Sequence, residues 1–453
     1  MITSNIVPSS TVFINNRMEG EYYTSEALVY LKKKVKWIKI GSILDFVQYG
    51  TSLALNEEGL GHKIFRLNEI EDCFLTKPEK WVLLNKRQYI SLRLEKSDIL
   101  VCRTNGNVKY VGRAGMPRED IDAVFASYLV RVKTNANYVL PEYLAIYLNT
   151  KVGRAFIERQ AMQSNQFNLS AEQLGKIPIP LFDKKFQNQI KKTVADAVIY
   201  INLSYSSYSQ AENLLLTELG LQNFKAKDKL FYNVNLFETS AVHRIDAEYF
   251  QPSHEEIIKK IKNHENGYGK LLSFADNVKP KFEPQKYPQK TFSYVELADI
   301  NSSIGVIQNS TNFTGEEAPS RARRILKKND VIVSSVEGSL EKVALVDEQF
   351  ENSLASTGFF QFRPKNIFAE VLLILSKSPV IQTQLKKECA GTILTAVPKE
   401  AIRRLIIPDF SKNIQRKIAS LVQQSHEARK KAKELLEKAK KEVENAIEKE
   451  QKK

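Results

Sequence analysis

Cysteine is scarce: Cys73, Cys102 and Cys389 are the three in 453 residues, far apart and with no CxxC pair. That spacing excludes a disulfide framework and a cysteine zinc site, and it fits a reducing cytoplasm. The five histidines, His62, His243, His254, His264 and His426, are scattered without metal-ligand spacing, so no metal is expected. Long apolar runs are missing too. Val371–Leu375 has the length of a strand or core helix, well short of the ~20 residues a membrane helix needs. Met1–Pro8 lacks the basic region and apolar core of a signal peptide, so an intracellular protein without a membrane partner is expected. Proline (15) and glycine (18) are not in excess, which excludes a collagen-like or mostly disordered chain. The chain has no GxxxxGK[ST] loop and no strand–GxGxxG–helix unit, so ATP and dinucleotide sites are not expected. A [DN]PP[YF]-type motif of an amino-methyltransferase is also missing, and no Ser/His/Asp set or acidic nuclease cluster stands out. Absences across so many reaction classes favour a binding protein.

Positive charge is present in excess: 67 Lys and Arg against 52 Asp and Glu, a formal net charge of +15. Such an excess favours a polyanionic partner, because a Lys or Arg beside a phosphate releases condensed counterions.

The chain also repeats itself. Leu94-Glu-Lys-Ser-Asp-Ile-Leu-Val reads like Leu326-Lys-Lys-Asn-Asp-Val-Ile-Val, with Asp98 and Asp330 offset by 232 positions. Ile64–Ile70 matches Tyr294–Ile300 at 230, and Ile177–Pro180 matches Leu405–Pro408 at 228. Gln187-Asn-Gln-Ile matches Gln415-Arg-Lys-Ile, again at 228. Anchors in one order with a slowly drifting offset indicate duplication. Each copy opens with short apolar runs and polar turns, 36–182 and 269–410, where Asp98–Cys102, Tyr128–Val132, Val331–Val333 and Phe359–Phe362 read as strands. Each then closes on an Ile/Pro segment that no helix can enter.

After the prolines the period changes. Ile190, Val194, Ala197, Ile201, Ser204, Tyr208, Ala211 and Leu215 alternate four and three apart, a heptad seam. The second copy supplies Ile414, Ile418, Leu421, Ser425, Ala428, Ala432 and Leu435, with Ala439 extending the seam and Val443 and Ile447 one step off phase. Two long helices, 183–220 and 411–450, each carry a narrow apolar stripe whose economical partner is the other. The expected fold is therefore α+β: two duplicated globular domains held apart by an antiparallel coiled coil, with a structured connector at 221–268. From Phe186 to Leu219 the first helix has 34 residues, a span of about 50 Å.

Candidate nucleic-acid contacts lie in the strand-rich segments. Arg103, Asn105, Asn107, Lys109 and Arg113 crowd a strand–turn–strand in the first, and Gln163 and Asn165 sit in a polar run nearby. In the second, Arg321, Arg323 and Arg324 precede the equivalent strand, followed by Ser334, Ser335 and Lys342. Arg and Lys can hold phosphates or read guanine, and Asn and Gln can read adenine. The side chains differ between copies while the scaffold repeats, as expected of duplicated domains that read two different sequences.

The ordered set over both copies resembles the specificity subunit of type I restriction–modification systems. The likeness is carried by Leu94–Val101 with Val111-Gly-Arg, by Asn168-Leu-Ser through Pro180, by Gln187-Asn-Gln-Ile, and by Asp246-Ala-Glu-Tyr-Phe-Gln-Pro as a second-repeat leader. The second copy keeps the pattern in Pro398–Pro408 but not Asn-Leu-Ser. The resemblance implies two target-recognition domains, each binding half of a bipartite asymmetric site in double-stranded DNA. It implies that Ile190, Val194, Ile201, Tyr208, Leu215, Ile418, Leu421 and Leu435 belong to helices that dock two methyltransferase subunits, through which restriction (translocase/endonuclease) subunits join. The chain itself would be non-catalytic and without a cofactor, S-adenosylmethionine and ATP being held by those partners. The same architecture serving another methyltransferase or a type II system, or acting as a plain coiled-coil tether, is the alternative.

Overall fold

The computed structural model describes Tyr22, residues 26–163, 166–222, Phe224, 228–391 and 395–449. It is α+β and divides into two units: residues up to Tyr200 with those from Lys430 onward, and Ile201–Arg429. The first long helix, Lys184–Glu218, and the second, Lys412–Lys449, each contribute to both units. No helix among the described residues is long and apolar enough to cross a membrane.

In the first unit, Ile99–Cys102 is buried along its whole length, as its unbroken apolar run requires. It lies between Ala114–Gly115 and Leu129–Thr134, and Leu44–Tyr49 completes this antiparallel sheet. A second sheet sets Ala123–Phe125 parallel to His62–Phe65. Helices Pro141–Leu148 and Lys151–Gln160 follow, with the Thr150 hydroxyl accepting from the Gly153 amide to start the second. The ends of the segment are clipped together where Trp37–Lys39 pairs with Pro178–Pro180. Proline cannot donate to a ladder, so this pair stays two-stranded. The buried hydroxyls of Tyr143 and Tyr147 donate to the carbonyls of Pro180 and Pro178 and hold the clip against the helices.

The second unit repeats this plan. Tyr268–Lys270 pairs with Ile406–Pro408, Thr291–Val295 runs parallel to Leu354–Ser356, and Val331–Ser334 is the fully buried central strand. Helices Ala369–Lys377 and Pro379–Glu388 are joined at Ser378, which caps the second as Thr150 does. The repeated aspartates are buried in both units. Asp98 accepts from the Glu95 amide at 2.8 Å and faces Arg131 at 3.5 Å. Asp330 accepts from the Lys327 amide at 2.9 Å and pairs with Arg363 at 2.8 Å. The units differ where helix Lys86–Leu92 of the first stands in place of strand Ala322–Ile325 of the second.

Duplication also reaches further upstream than the four anchors. Arg17-Met-Glu-Gly-Glu-Tyr-Tyr matches the leader Arg244-Ile-Asp-Ala-Glu-Tyr-Phe. In the first unit the Arg159 guanidinium lies 3.9 Å from the Tyr22 ring; in the second the Lys387 ammonium lies 4.9 Å from that of Tyr249. The connector is mixed: Pro252–Lys262 buries Ile257 and Ile261 in the second unit's core, whereas Phe231, Leu236 and Phe237 are exposed.

Within each unit the two helices pack antiparallel. In the first, Ile190, Val194 and Ala197 are buried, as are Ala432, Leu436, Ala439, Val443 and Ile447, and Gln189 donates to Glu442 at 3.3 Å. In the second, Ile201, Ser204, Tyr208, Ala211 and Leu215 bury alongside Ile418, Val422, Ser425 and Ala428. The wholly buried Ser204 and Ser425 hydroxyls satisfy each other at 3.1 Å. The first seam is therefore in the expected phase. The second is corrected: Leu421 and Leu435 are only half-buried, their neighbours Val422 and Leu436 fill the stripe, and Val443 and Ile447 are in phase with it. The buried series keeps nearer to the 3.6-residue period of a straight helix than to a strict heptad, so a 3.5-residue rule drifts off the face.

Candidate nucleic-acid interface

In the first unit a small antiparallel sheet joins Met162–Gln163, Phe167–Asn168 and Thr104–Asn105. It brings together two loops some sixty residues apart in sequence that share no local pattern. The Thr104 hydroxyl donates to Asn168 Oδ1 at 2.6 Å and locks the seam. Gln163 lies on this sheet; Asn165 falls outside the described residues.

The basic side chains of this loop are braced by aromatics. The Arg103 guanidinium lies 4.7 Å from the centre of the Tyr49 ring, and its Nε has no hydrogen-bond partner among the described residues. Tyr49 is half-exposed on an edge strand, and its hydroxyl accepts from the Ala171 amide. Arg113 lies 4.2 Å from the Tyr110 ring, and burial pulls its guanidinium below the ordinary arginine value. Lys109 is exposed. Asn105 and Asn107 close successive turns, their Oδ1 atoms accepting from the amides of Asn107 and Lys109. Those oxygens are thus engaged in shaping the loop.

Two further contributors were not legible in advance. Arg154, on the helix behind, donates to the Val111 and Val108 carbonyls at 2.5 and 3.0 Å and fixes the loop from beneath. Gly112 adopts a positive φ of 75°, and a Cβ there would collide with Ile157. Tyr110 had a signal: an aromatic between Lys109 and Arg113, in the interleaving expected of nucleic-acid contacts.

In the second unit the candidate side chains lie on or beside strand Ala322–Ile325 and after the central strand Val331–Ser334. Arg321 is exposed. Arg323 reaches Glu283 at 3.3 Å and the Phe282 carbonyl at 3.4 Å. Arg324 points inward: it is 4% exposed, donates to the Val278 carbonyl, and burial lowers its pKa to about 10. The cause is strand alternation: Ala322 and Arg324 share the inner face of this strand, and Arg323 and Ile325 take the outer one. Ser334 is wholly buried and bonded to Ser339 at 3.0 Å. Ser335 donates to the Gly358 carbonyl and Lys342 to that of Ile300, so both side chains tie strands together. Arg324 and Ser334 therefore present no group to an outside ligand, whereas Arg321 is exposed and Arg323 half-exposed.

No family model matches the chain. Over 169 residues it is 24% identical to the type I restriction enzyme EcoKI specificity subunit of Escherichia coli strain K12, a stretch covering 36% of each protein. Over 113 residues it is 26% identical to the EcoBI specificity subunit of Escherichia coli, covering 25% of this chain and 23% of that one. The chain thus spans about a third and about a quarter of the length of these relatives. A crystal structure of a type I restriction–modification S subunit from M. genitalium superposes with a TM-score of 0.42 at 14% identity, covering 91% of this chain and 97% of that one.

Proposed function

Starting from the similarity of this chain to type I restriction enzyme specificity subunits, we propose that it is the non-catalytic DNA-specificity subunit of such a complex. Each unit reads one half of a bipartite asymmetric site in duplex DNA. The two long helices dock two methyltransferase subunits and set the distance between half-sites, and restriction subunits join through those partners. S-adenosylmethionine and ATP are bound by the partners.

One observation carries this reading: a duplicated scaffold whose loops differ in chemistry at equivalent places. Arg103, Lys109 and Arg113 occupy the loop after the central strand of the first unit, whereas Ser335 and Lys342 occupy its counterpart in the second. Buried anchors such as Asp98 and Asp330 are kept, as a common frame demands. A frame that repeats beneath side chains that do not is what reading two different sequences requires.

The test is an exchange of residues 36–182 for the counterpart from another specificity subunit, with the methylated motif read by sequencing host DNA. One half-site changes and the other stays. If both half-sites change together, independent readout by the two units is wrong.

A further inference from the structure

The repeats differ in charge at a segment that precedes the anchors Ile64–Ile70 and Tyr294–Ile300. In the first unit it is 50–61, between strands Leu44–Tyr49 and His62–Phe65 and itself holding the short strand Leu55–Asn56; in the second it is the loop 278–290, between Ala275–Asn277 and Thr291–Val295. The first version holds Glu57 and Glu58 and no basic residue. The second reads Val278-Lys-Pro-Lys-Phe-Glu-Pro-Gln-Lys-Tyr-Pro-Gln-Lys290, with four lysines and one glutamate.

This second loop is built rather than slack. Three prolines fix its backbone angles. The Phe282 amide donates to the Arg323 carbonyl at 3.1 Å, Tyr287 to that of Pro284 at 2.8 Å, and Gly315 to that of Lys290 at 2.8 Å. Phe282 packs edge-on against Phe292, and Tyr287 stacks on Phe282 with ring centres 5.8 Å apart while staying half-exposed. Lys279, Lys281, Lys286 and Lys290 are all exposed. Of the four, among the described residues, only Lys286 is ion-paired, to Glu283 at 2.9 Å. The Arg323 side chain reaches that same glutamate, and the exposed Arg321 lies two residues earlier, just before strand Ala322–Ile325.

We propose that loop 278–290 is a phosphate clamp of the second unit: its four lysines, with Tyr287 between them, grip the duplex backbone beside the half-site, independently of sequence. The acidic counterpart at 50–61 takes no part. The inference rests on the DNA-binding reading above and deepens it. A clamp held rigid before binding gives up little conformational freedom when it engages. Each phosphate neutralised steepens the fall of log K with log salt by about 0.9, so four contacts account for a slope of up to about 3.6.

The experiment uses the full chain and a fluorescein-labelled duplex of about 40 base pairs of mixed sequence, with anisotropy followed from about 50 to about 300 mM NaCl, where phosphate contacts dominate binding. The expected result for K279Q/K281Q/K286Q/K290Q is a salt slope shallower by about 2 to 3.6 and, at physiological salt, at least tenfold weaker binding. The all-arginine version of the same four positions keeps the wild-type slope, and E57Q/E58Q in the other unit leaves it unchanged. Wild-type binding with an unaltered slope in the glutamine variant overturns the clamp alone. Loss of slope in the arginine variant, or a steeper slope in E57Q/E58Q, overturns the assignment of charge and of side respectively. If the wild-type chain shows no salt-dependent duplex binding, the underlying DNA reading fails and the clamp with it.

Discussion

Replacing Gln187 with leucine tests whether the start of each long helix is pinned by a single buried amide. Gln187 is 1% exposed. Its Oε1 accepts from the Leu140 amide at 2.8 Å, and its Nε2 donates to the carbonyls of Tyr138 and Phe182 at 3.0 and 2.9 Å. The side chain thus ties the loop before helix Pro141–Leu148 to the segment leaving the Pro178–Pro180 strand. Leucine matches the volume but satisfies none of the three groups. A buried N–H left unpaired costs about 1–3 kcal/mol, and each lost bond to a carbonyl about 0.5–1.5 kcal/mol, which sums to roughly 3 kcal/mol or more. Gln415 does the same work in the second unit with fewer bonds: its Oε1 accepts from the Phe368 amide at 3.3 Å, and its Nε2 donates to the Phe410 carbonyl at 2.8 Å. Gln415→Leu, with one carbonyl bond fewer to lose, is therefore expected to cost about 1.5–4.5 kcal/mol, less than Gln187→Leu by about 0.5–1.5 kcal/mol. The assay is native-state hydrogen exchange at the amides of the central strands, Ile99–Cys102 and Val331–Ser334, which reports each unit separately where a single unfolding curve would mix them. A loss of about 3 kcal/mol lowers protection in Ile99–Cys102 about a hundredfold. If both variants lose less than about 0.5 kcal/mol, or the Gln415 variant loses more, counting bonds at these amides does not describe what holds the helices.

Stability of the second unit should fall on acidification. Burial holds His254 and His426 below the usual imidazole range, and their Nε2 atoms lie 2.9 Å from the Glu248 and Ile304 carbonyls. The unfolded chain takes up protons near pH ~6.5 while the folded one does not, so stability present above that pH is lost as pH falls toward the depressed folded values, by at most about 1.4 kcal/mol per pH unit per histidine. H254Q/H426Q should flatten the decline measured by urea unfolding; an equal decline in variant and wild type assigns it to other groups. The native thiols should be inert: burial pushes Cys73 and Cys102 up to about 12 and Cys389 to about 11, and thiol reagents attack the thiolate. Prompt labelling of any of them in the native chain at mildly alkaline pH contradicts that burial, while full labelling in denaturant is expected. Finally, a heptad added to both long helices at the unit boundary, after Tyr200 and after Arg429, preserves the Gln189–Glu442 and Ser204–Ser425 pairings and lengthens each helix by about 10.5 Å. Methylome sequencing should show a longer spacer between unchanged half-sites, and an unchanged spacer in an active variant refutes the helices as a ruler.

Periodicity along the chain determined a good deal by itself. Duplication, the buried strands Ile99–Cys102 and Val331–Ser334, the extended Ile/Pro segments and the seam from Ile190 to Leu215 all follow from spacing, because helix and strand impose their repeat on neighbouring residues. The same reasoning stopped short at Arg17–Tyr23, where too few identities mark the upstream copy. Tertiary structure decided which side chains face outward. Arg323 and Arg324 are adjacent in one strand and so point to opposite faces, but which of the two faces is buried is decided by packing against partners some thirty to fifty residues away. Thr104 and Asn168 meet because two loops close one small sheet, and no local pattern links them. Val422, rather than Leu421, fills the second helix's stripe because the phase of a helix face is set by what it packs against over its whole length. A repeat is a property of the backbone and is written locally; the direction of one side chain depends on pairings made far along the chain, and only the folded molecule makes those.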